Sequence, residues 1–211
     1  MNRFHLYNQE IFDRYLTCVK EQPRELSYPL LVSPDILNTT GKILYIGQET
    51  NTWGNQLPSS VTVEDLETLY DSFLQSGATN RPYWKFIKSM IDKPLYDSVV
   101  WSNLLVCGKR DGLGTPEVSD ELFQLSTEYL YHLYEISKPS QVIILSSPRL
   151  VYAKLIRSFL ENIGCVMNET ISSTQSILVN QEKNIIWTYH PKYLAMSKQT
   201  EKVKSICKKY L

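Results

Sequence analysis

Lys42-Ile43-Leu44-Tyr45-Ile46 is the stretch that decides the fold, and Gly47 follows it directly. From Ile43 onward its side chains are apolar on both sides of the strand alternation, which is typical of a parallel strand buried between two layers. Two similar runs follow at 98–102 and 141–145. Because helical periodicity separates the three runs, the sequence predicts strands that alternate with helices and pair mainly in parallel.

The helices predicted around these strands rest on apolar side chains spaced three or four residues apart. They cover residues 8–21, 63–75, 81–91, 116–136, 148–163 and about 197–210. Two further runs, 175–179 and 184–189, flank a polar turn and predict a hairpin. The expected fold is a three-layer α/β/α sandwich with a mainly parallel central sheet of about four strands and an antiparallel edge hairpin.

The length of 211 residues fits a single domain, 1–211. An N-terminal helix, which Pro23 is expected to end, and an extended lead-in occupy residues 1–40. The core is expected over residues 41–196, and a basic C-terminal helix over residues 197–211. A hydrophobic content of 43% is ordinary for a folded domain of this size.

The charge balance is neutral overall, with 22 basic and 22 acidic residues. This balance argues against a protein that holds nucleic acid only through bulk electrostatics. The C-terminal segment 192–211 is an exception, because it carries one acid, Glu201, and six lysines, at 192, 198, 202, 204, 208 and 209. Two interpretations fit this segment: a patch that neutralises phosphates, or a solvated helix whose lysines complement its dipole.

The four cysteines lie at positions 18, 107, 165 and 207, without the short spacing of a zinc or iron–sulfur site. They are predicted to be reduced core residues, with no metal or cofactor bound. Neither an N-terminal apolar segment nor a run long enough to span a membrane is present, so we expect a cytoplasmic protein with no membrane partner.

Polar side chains follow three of the predicted strands. Gly47-Gln48-Glu49-Thr50 comes after the first strand, Asn103 after the second, and His190-Pro191 after the second arm of the hairpin. In open α/β sheets, ligands bind beyond the carboxyl ends of the strands. We therefore expect the three clusters to converge on one cleft.

The order and placement of these clusters resemble the uracil-DNA glycosylase superfamily. In that family a Gly-Gln-Asp-Pro loop follows the first strand, an Asn ends the next one, and a His-Pro-Ser-Pro-Leu motif follows the last. The resemblance covers roughly residues 40–195. This chain departs from the motifs at four positions, because Glu49 and Thr50 replace Asp and Pro, while Lys192 and Tyr193 replace Ser and Pro.

The resemblance implies a DNA-repair glycosylase that hydrolyses the N-glycosidic bond of uracil or a related damaged base in DNA, without a cofactor. Carried over by position, the family's catalytic residues fall on Glu49 and His190. Its substrate-binding positions fall on Gly47, Gln48, Trp53 and Asn103, and its DNA-binding ones on Lys192 and Leu194, to which we add Lys198 from the basic segment. Leu194 would fill the gap that an extruded base leaves in the duplex.

The chemistry of these residue types fits that reaction. A carboxylate such as Glu49 orients water and stabilises a cation-like sugar. His190 would stabilise the negative charge that develops on the departing base. Asn103 offers a donor and an acceptor to the edge of a pyrimidine, and an aromatic face, Trp53 or Tyr83, would stack on it.

Other interpretations stay open at the level of sequence. Glu49 is also suited to capping a loop or helix start, and Asn103 to bonding its own backbone in a turn. For the whole chain, a second hypothesis is a non-catalytic module of the same fold that binds nucleic acid or a protein partner. A third is an enzyme acting on a free nucleoside or another small ligand, which predicts that Lys109, Lys192 and Lys198 lie far from the cleft.

Overall fold

The computed structural model describes residues 2–21, 26–38, 41–58, 60–112, 114–167, 169–172 and 174–210. The strands of this part of the chain are β1 (Ile43–Gly47), β2 (Val99–Asn103), β3 (Gln141–Leu145), β4 (Ile177–Asn180) and β5 (Ile185–Thr188). They form one five-stranded sheet in the order β2-β1-β3-β5-β4.

The pairing within the sheet is parallel except at one edge. β1 pairs in parallel with β2 and β3, and β5 continues the parallel arrangement beside β3. β4 pairs antiparallel with β5 and forms the edge hairpin. All residues of the four parallel strands are buried, because both faces of the sheet are covered. The prediction of a mainly parallel sheet with an antiparallel edge strand is confirmed.

Helices cover the sheet and complete the three-layer α/β/α sandwich. They are α1 (Arg3–Glu21), α2 (Val63–Gln75), α3 (Pro82–Lys88), α4 (Leu95–Ser98), α5 (Asp120–Ser137), α6 (Leu150–Asn162), α7 (Pro191–Met196) and α8 (Thr200–Lys208), with a 3-10 turn at Pro34–Asn38. α1 packs against α2 and α5, α5 packs against α6, and α3 packs against α7. The last of these contacts brings the chain after β5 next to the chain before β2.

Several helix boundaries differ from the predicted ones. α5 begins at Asp120 and not at Pro116, because the Ser119 side chain caps it by accepting a hydrogen bond from the Leu122 N–H. The helix predicted at about 197–210 is confirmed as α8, with narrower bounds. A short helix that the sequence did not predict, α7, precedes α8, and the two are separated where Lys198 has a φ of 57°. The predicted end of the first helix at Pro23 lies outside the described residues.

The four cysteines are buried thiols, as predicted. Among the described helices, none is both long and apolar enough to cross a membrane.

Candidate active site

A cavity of about 560 Å³ opens beyond the carboxyl ends of β1 and β2. This volume lies within the range of small-molecule sites. The predicted convergence is confirmed, because residues of all three polar clusters line this one cavity. The predicted site residues among its lining are Gly47, Gln48, Glu49, Trp53, Asn103, His190 and Lys192.

Gly47, the last residue of β1, lies tightly against the other walls of the cavity. A Cβ at this position would lie 2.4 Å from the Asn103 side-chain amide and 3.2 Å from the Tyr83 hydroxyl. The backbone continues this close packing, since the Gly47 carbonyl accepts a 3.0 Å hydrogen bond from the Leu104 N–H. Any side chain at this position would therefore force Asn103 or Tyr83 to shift.

Gly47→Ala is expected to lower the free energy of unfolding by about 1–3 kcal/mol through overpacking, and to weaken binding in the cavity because Asn103 or Tyr83 must move. Urea unfolding and ligand titration measure the two effects. Gly77→Ala is the matched control, since its Cβ meets nothing within 4 Å while its φ is +79°. That control should lose about 1–2 kcal/mol from backbone strain alone and leave binding intact. Wild-type behaviour of Gly47→Ala would show that the packing at this position is loose.

Glu49 is half-buried and one of its carboxylate oxygens is held by a tyrosine of α6. Glu49 Oε2 accepts a hydrogen bond from the Tyr152 hydroxyl, which is bonded in turn to Thr115 Oγ1. Burial raises the pKa of the Glu49 carboxyl, while the bond from Tyr152 and the charge of Arg149 oppose this rise. A carboxylate with a raised pKa is a stronger proton acceptor. Of the two oxygens of Glu49, only Oε2 has a hydrogen-bond partner among the described residues.

Asn103 is buried at the end of β2, where it connects two elements of the site. In the amide orientation that satisfies its neighbours, Nδ2 donates to the Ser102 carbonyl at 3.1 Å and Oδ1 accepts from the Thr50 N–H at 3.3 Å. The amide therefore fixes the loop after β1 against the end of β2. Each amide group keeps a second hydrogen-bonding position, so this structural role and recognition of a ligand are compatible.

His190 occupies the N-cap position of α7, and its hydrogen bonds determine which ring nitrogen carries the proton. His190 Nδ1 accepts a 3.2 Å hydrogen bond from the Lys192 N–H, so the proton of the neutral ring is on Nε2. Burial, assisted by the positive charge of Lys192, lowers the pKa of His190 to about 4. The ring stacks on Tyr83 with 5.8 Å between centroids. At neutral pH this side chain is a neutral, fixed donor.

Gln48 and Trp53 have supporting positions in the cavity wall. Gln48 Nε2 donates to Ser147 Oγ at 3.2 Å and lies 3.4 Å from Ser146 Oγ, which ties the loop after β1 to the end of β3. Trp53 is 8% exposed and packs edge to face against Trp101, with 5.5 Å between centroids. Its ring belongs to the aromatic core beneath the cavity, so Tyr83 is the better candidate for a stacking surface.

The prediction that Leu194 acts as a wedge is wrong for this structure, because its side chain is 0% exposed. The sequence predicted no helix directly after His190, because the closing helix was expected only from about residue 197. The chain instead forms α7, starting at Pro191, a residue that favours the first helical position. This short helix turns Leu194 into the core and leaves Tyr193, 42% exposed, and Met196, 75% exposed, at the surface.

Leu194→Ala is expected to lower the free energy of unfolding by about 2–5 kcal/mol, because it leaves a cavity in packed protein. Met196→Ala on the same helix is the control and should change stability by no more than about 0.5 kcal/mol. Urea unfolding monitored by tryptophan fluorescence measures both values. Equal, small effects of the two variants would indicate that Leu194 is accessible in solution.

The cations around the cavity include one predicted residue and one that the sequence did not single out. Lys192 lines the cavity and is exposed, whereas Lys198 and Lys109 are not among its described lining residues. Arg81, the exposed residue before α3, also lies in the lining. Neither Arg81 nor Tyr152 carries a sequence signal, because their roles depend on how α3 and α6 pack. Arg81 and Lys192 make the mouth of the cavity favourable for an anionic ligand.

Comparison of the sequence with models of protein families and with curated proteins found no match in either. Among the described residues, no three His, Cys, Asp or Glu side chains are arranged to hold a metal ion. The site is thus characterised by its own geometry. It combines one carboxylate, one neutral imidazole and one anchored amide around a cavity with an aromatic wall and a cationic mouth.

Proposed function

We propose that this protein hydrolyses the N-glycosidic bond of a nucleobase extruded from DNA, with uracil or a related damaged base as the substrate. The observation that carries the proposal is that Glu49 and a His190 ring protonated on Nε2 line the same cavity, with Asn103 beside them. The same three residues fall on the motifs that resemble the uracil-DNA glycosylase superfamily, in the same order along the chain.

The proposed role of Glu49 is to activate and orient water. In the reaction, the bond between C1′ of the sugar and the base nitrogen breaks, and its electron pair leaves with the base. Water adds to C1′ and gives its proton to the carboxylate, which also stabilises the cation-like sugar before the addition. Tyr152 supports this role, because its hydrogen bond to Oε2 holds the carboxylate in one orientation.

The proposed role of His190 is to stabilise the departing base. As the glycosidic bond lengthens, negative charge develops on the base, and a fixed donor aimed at it lowers the barrier. The Nε2–H group of a neutral imidazole supplies this donor without releasing its proton. The stacked Tyr83 ring and the bond from the Lys192 N–H both restrict the orientation of the imidazole.

The cavity walls supply the proposed recognition of the base. The Tyr83 ring is suited to stacking on a planar base, and the remaining hydrogen-bonding positions of the Asn103 amide are suited to its polar edge. The close packing of Gly47 against both residues keeps these two groups together.

A non-catalytic binding module is the second candidate. It is favoured by the observation that Glu49 and Asn103, two of the key polar side chains, are bonded to other parts of the protein. Such bonds would also serve to stabilise a loop. This module would bind oligonucleotides at low salt with affinity that falls as salt rises, and would release no base.

The proposal is tested by incubating the protein with uracil-containing single-stranded and double-stranded oligonucleotides, and with the other deaminated bases. Abasic sites are scored by alkaline cleavage of the strand. Release from either form supports the glycosylase, whereas binding without release supports the module. Release from a free nucleoside at the same rate as from an oligonucleotide would contradict a DNA substrate.

A further inference from the structure

A second, shallower cavity of about 490 Å³ adjoins the candidate active site. The two share Gln48, His190 and Lys192 in their walls. We call this second cavity the flanking groove, and its other lining residues are Ser147, Pro148, Arg149, Tyr189, Tyr193 and Met196. Because the walls are shared, a ligand that fills the first cavity and continues along its chain enters the groove next.

The lining of the flanking groove carries a net positive charge. Its described lining contains two cations, Arg149 and Lys192, and no carboxylate. Both cations are exposed, and no ion pair joins either of them to a described carboxylate. Exposed cations in the lining of a groove, without an ion pair to a described carboxylate, are suited to a phosphate group, which arginine binds in a bidentate manner.

The lining of the groove also includes apolar side chains that the protein leaves uncovered. Tyr193 is 42% exposed and Met196 is 75% exposed, although most large apolar side chains of this chain are buried. Tyr189 packs against Tyr193 with 4.4 Å between ring centroids, which restricts the Tyr193 ring. Exposed aromatic rings beside cations are the usual components of a surface on which unpaired bases stack.

We propose that the flanking groove binds the nucleotide next to the reacting one, with its phosphate between Arg149 and Lys192 and its base on Tyr193 and Met196. This inference rests on the proposed function, because it places the reacting nucleotide in the first cavity. A base that lies on Tyr193 is not paired with a second strand. The substrate class is therefore an oligonucleotide with an unpaired flanking base, which favours single strands over duplexes and over free nucleosides.

The test measures binding and does not depend on base release. A short fluorescent thymidine strand carries an abasic analogue at the reacting position, and a second strand carries the analogue at the flanking positions as well. Wild type should bind the first strand about 10-fold more tightly, because only that strand has a base to stack. Tyr193→Ala should remove this preference, while annealing a complementary strand should weaken binding of the first strand to wild type.

Arg149→Gln tests the phosphate contact separately. It should weaken binding of both strands and lower the slope of log affinity against log salt by about one. The matched control is Arg157→Gln, an exposed arginine within α6, the helix that Arg149 precedes, and it lies at a different cavity. Melting curves of each variant verify that it is folded.

Any of these results would overturn the inference: equal binding of the two strands by wild type, a duplex bound as tightly as the single strand, or Arg149→Gln behaving like Arg157→Gln. Polyglutamate competing as well as the oligonucleotide would also overturn it, since the groove would then be a general anion surface. If the binding assays give the expected results but no base is released, only the glycosylase proposal is rejected. If base is released but Tyr193→Ala and Arg149→Gln bind as wild type does, only the proposed role of the flanking groove is rejected.

Discussion

Glu49→Gln is expected to reduce the rate of base release by about 10²- to 10⁴-fold, the usual contribution of a positioned acid or base. Glutamine has the same size, and its side-chain oxygen still accepts the hydrogen bond from Tyr152. The variant should therefore fold normally and bind the abasic strand as wild type does. It lacks only a group that accepts the proton of water. Single-turnover kinetics on a uracil-containing strand measure the loss.

The control for this variant is Glu182→Gln, in the exposed turn between β4 and β5. It removes one negative charge from the protein without touching the cavity, and its rate should equal that of wild type. If Glu49→Gln retains the full rate while the protein is active, another group activates the water. If the protein releases no base at all, Glu49 is left with the structural role that its bond to Tyr152 describes.

His190→Asn is expected to reduce the rate by about 10²- to 10³-fold, the effect of removing one donor to a developing anion. Asparagine is a preferred N-cap residue, so its side-chain oxygen can accept the bond from the Lys192 N–H and preserve the start of α7. The variant thus separates the donor on Nε2 from the capping role of Nδ1. The matched control is His132→Asn, an exposed histidine of α5.

The same variant also tests the lowered pKa of His190. The pKa in the folded protein is about 4, below the ordinary 6.5, so between these pH values the unfolded chain binds more protons at this residue. The contribution of His190 to the free energy of unfolding is therefore fully present above pH 6.5 and declines as the pH falls towards 4. Wild type should lose about 2 kcal/mol relative to His190→Asn between pH 7 and pH 5.

Urea unfolding of both proteins at the two pH values measures this difference. A constant stability difference would show that the pKa of His190 is ordinary, and that the ring is positively charged in weak acid. If His190 acts as a neutral donor, the rate of base release by wild type should not change as the pH passes through 6.5. The activity profile of wild type should therefore show no step at this pH that is missing in His190→Asn. A loss of activity on the acid side is assigned to protonation of Glu49, whose raised pKa brings its titration closer to neutral pH.

Local sequence patterns were sufficient for the sheet and for most helices. β3 was predicted at its observed bounds, 141–145, because four consecutive apolar residues follow Gln141 and turn signals flank the run. α2 was predicted equally well at 63–75. Patterns failed at the start of α5, which the Ser119 cap decides, and at α7, a short helix that the sequence did not predict.

By itself, the sequence determined the layered architecture and the meeting of the Gly47, Asn103 and His190 clusters at one sheet edge. The physical reason is that parallel strands with crossover helices present all their carboxyl ends on the same side. Only the tertiary structure decided what each side chain does there. It buried Leu194, exposed Tyr193 and Met196, and brought Tyr152 to Glu49, because these outcomes depend on how α6 and α7 pack against the sheet and not on residues nearby in the chain.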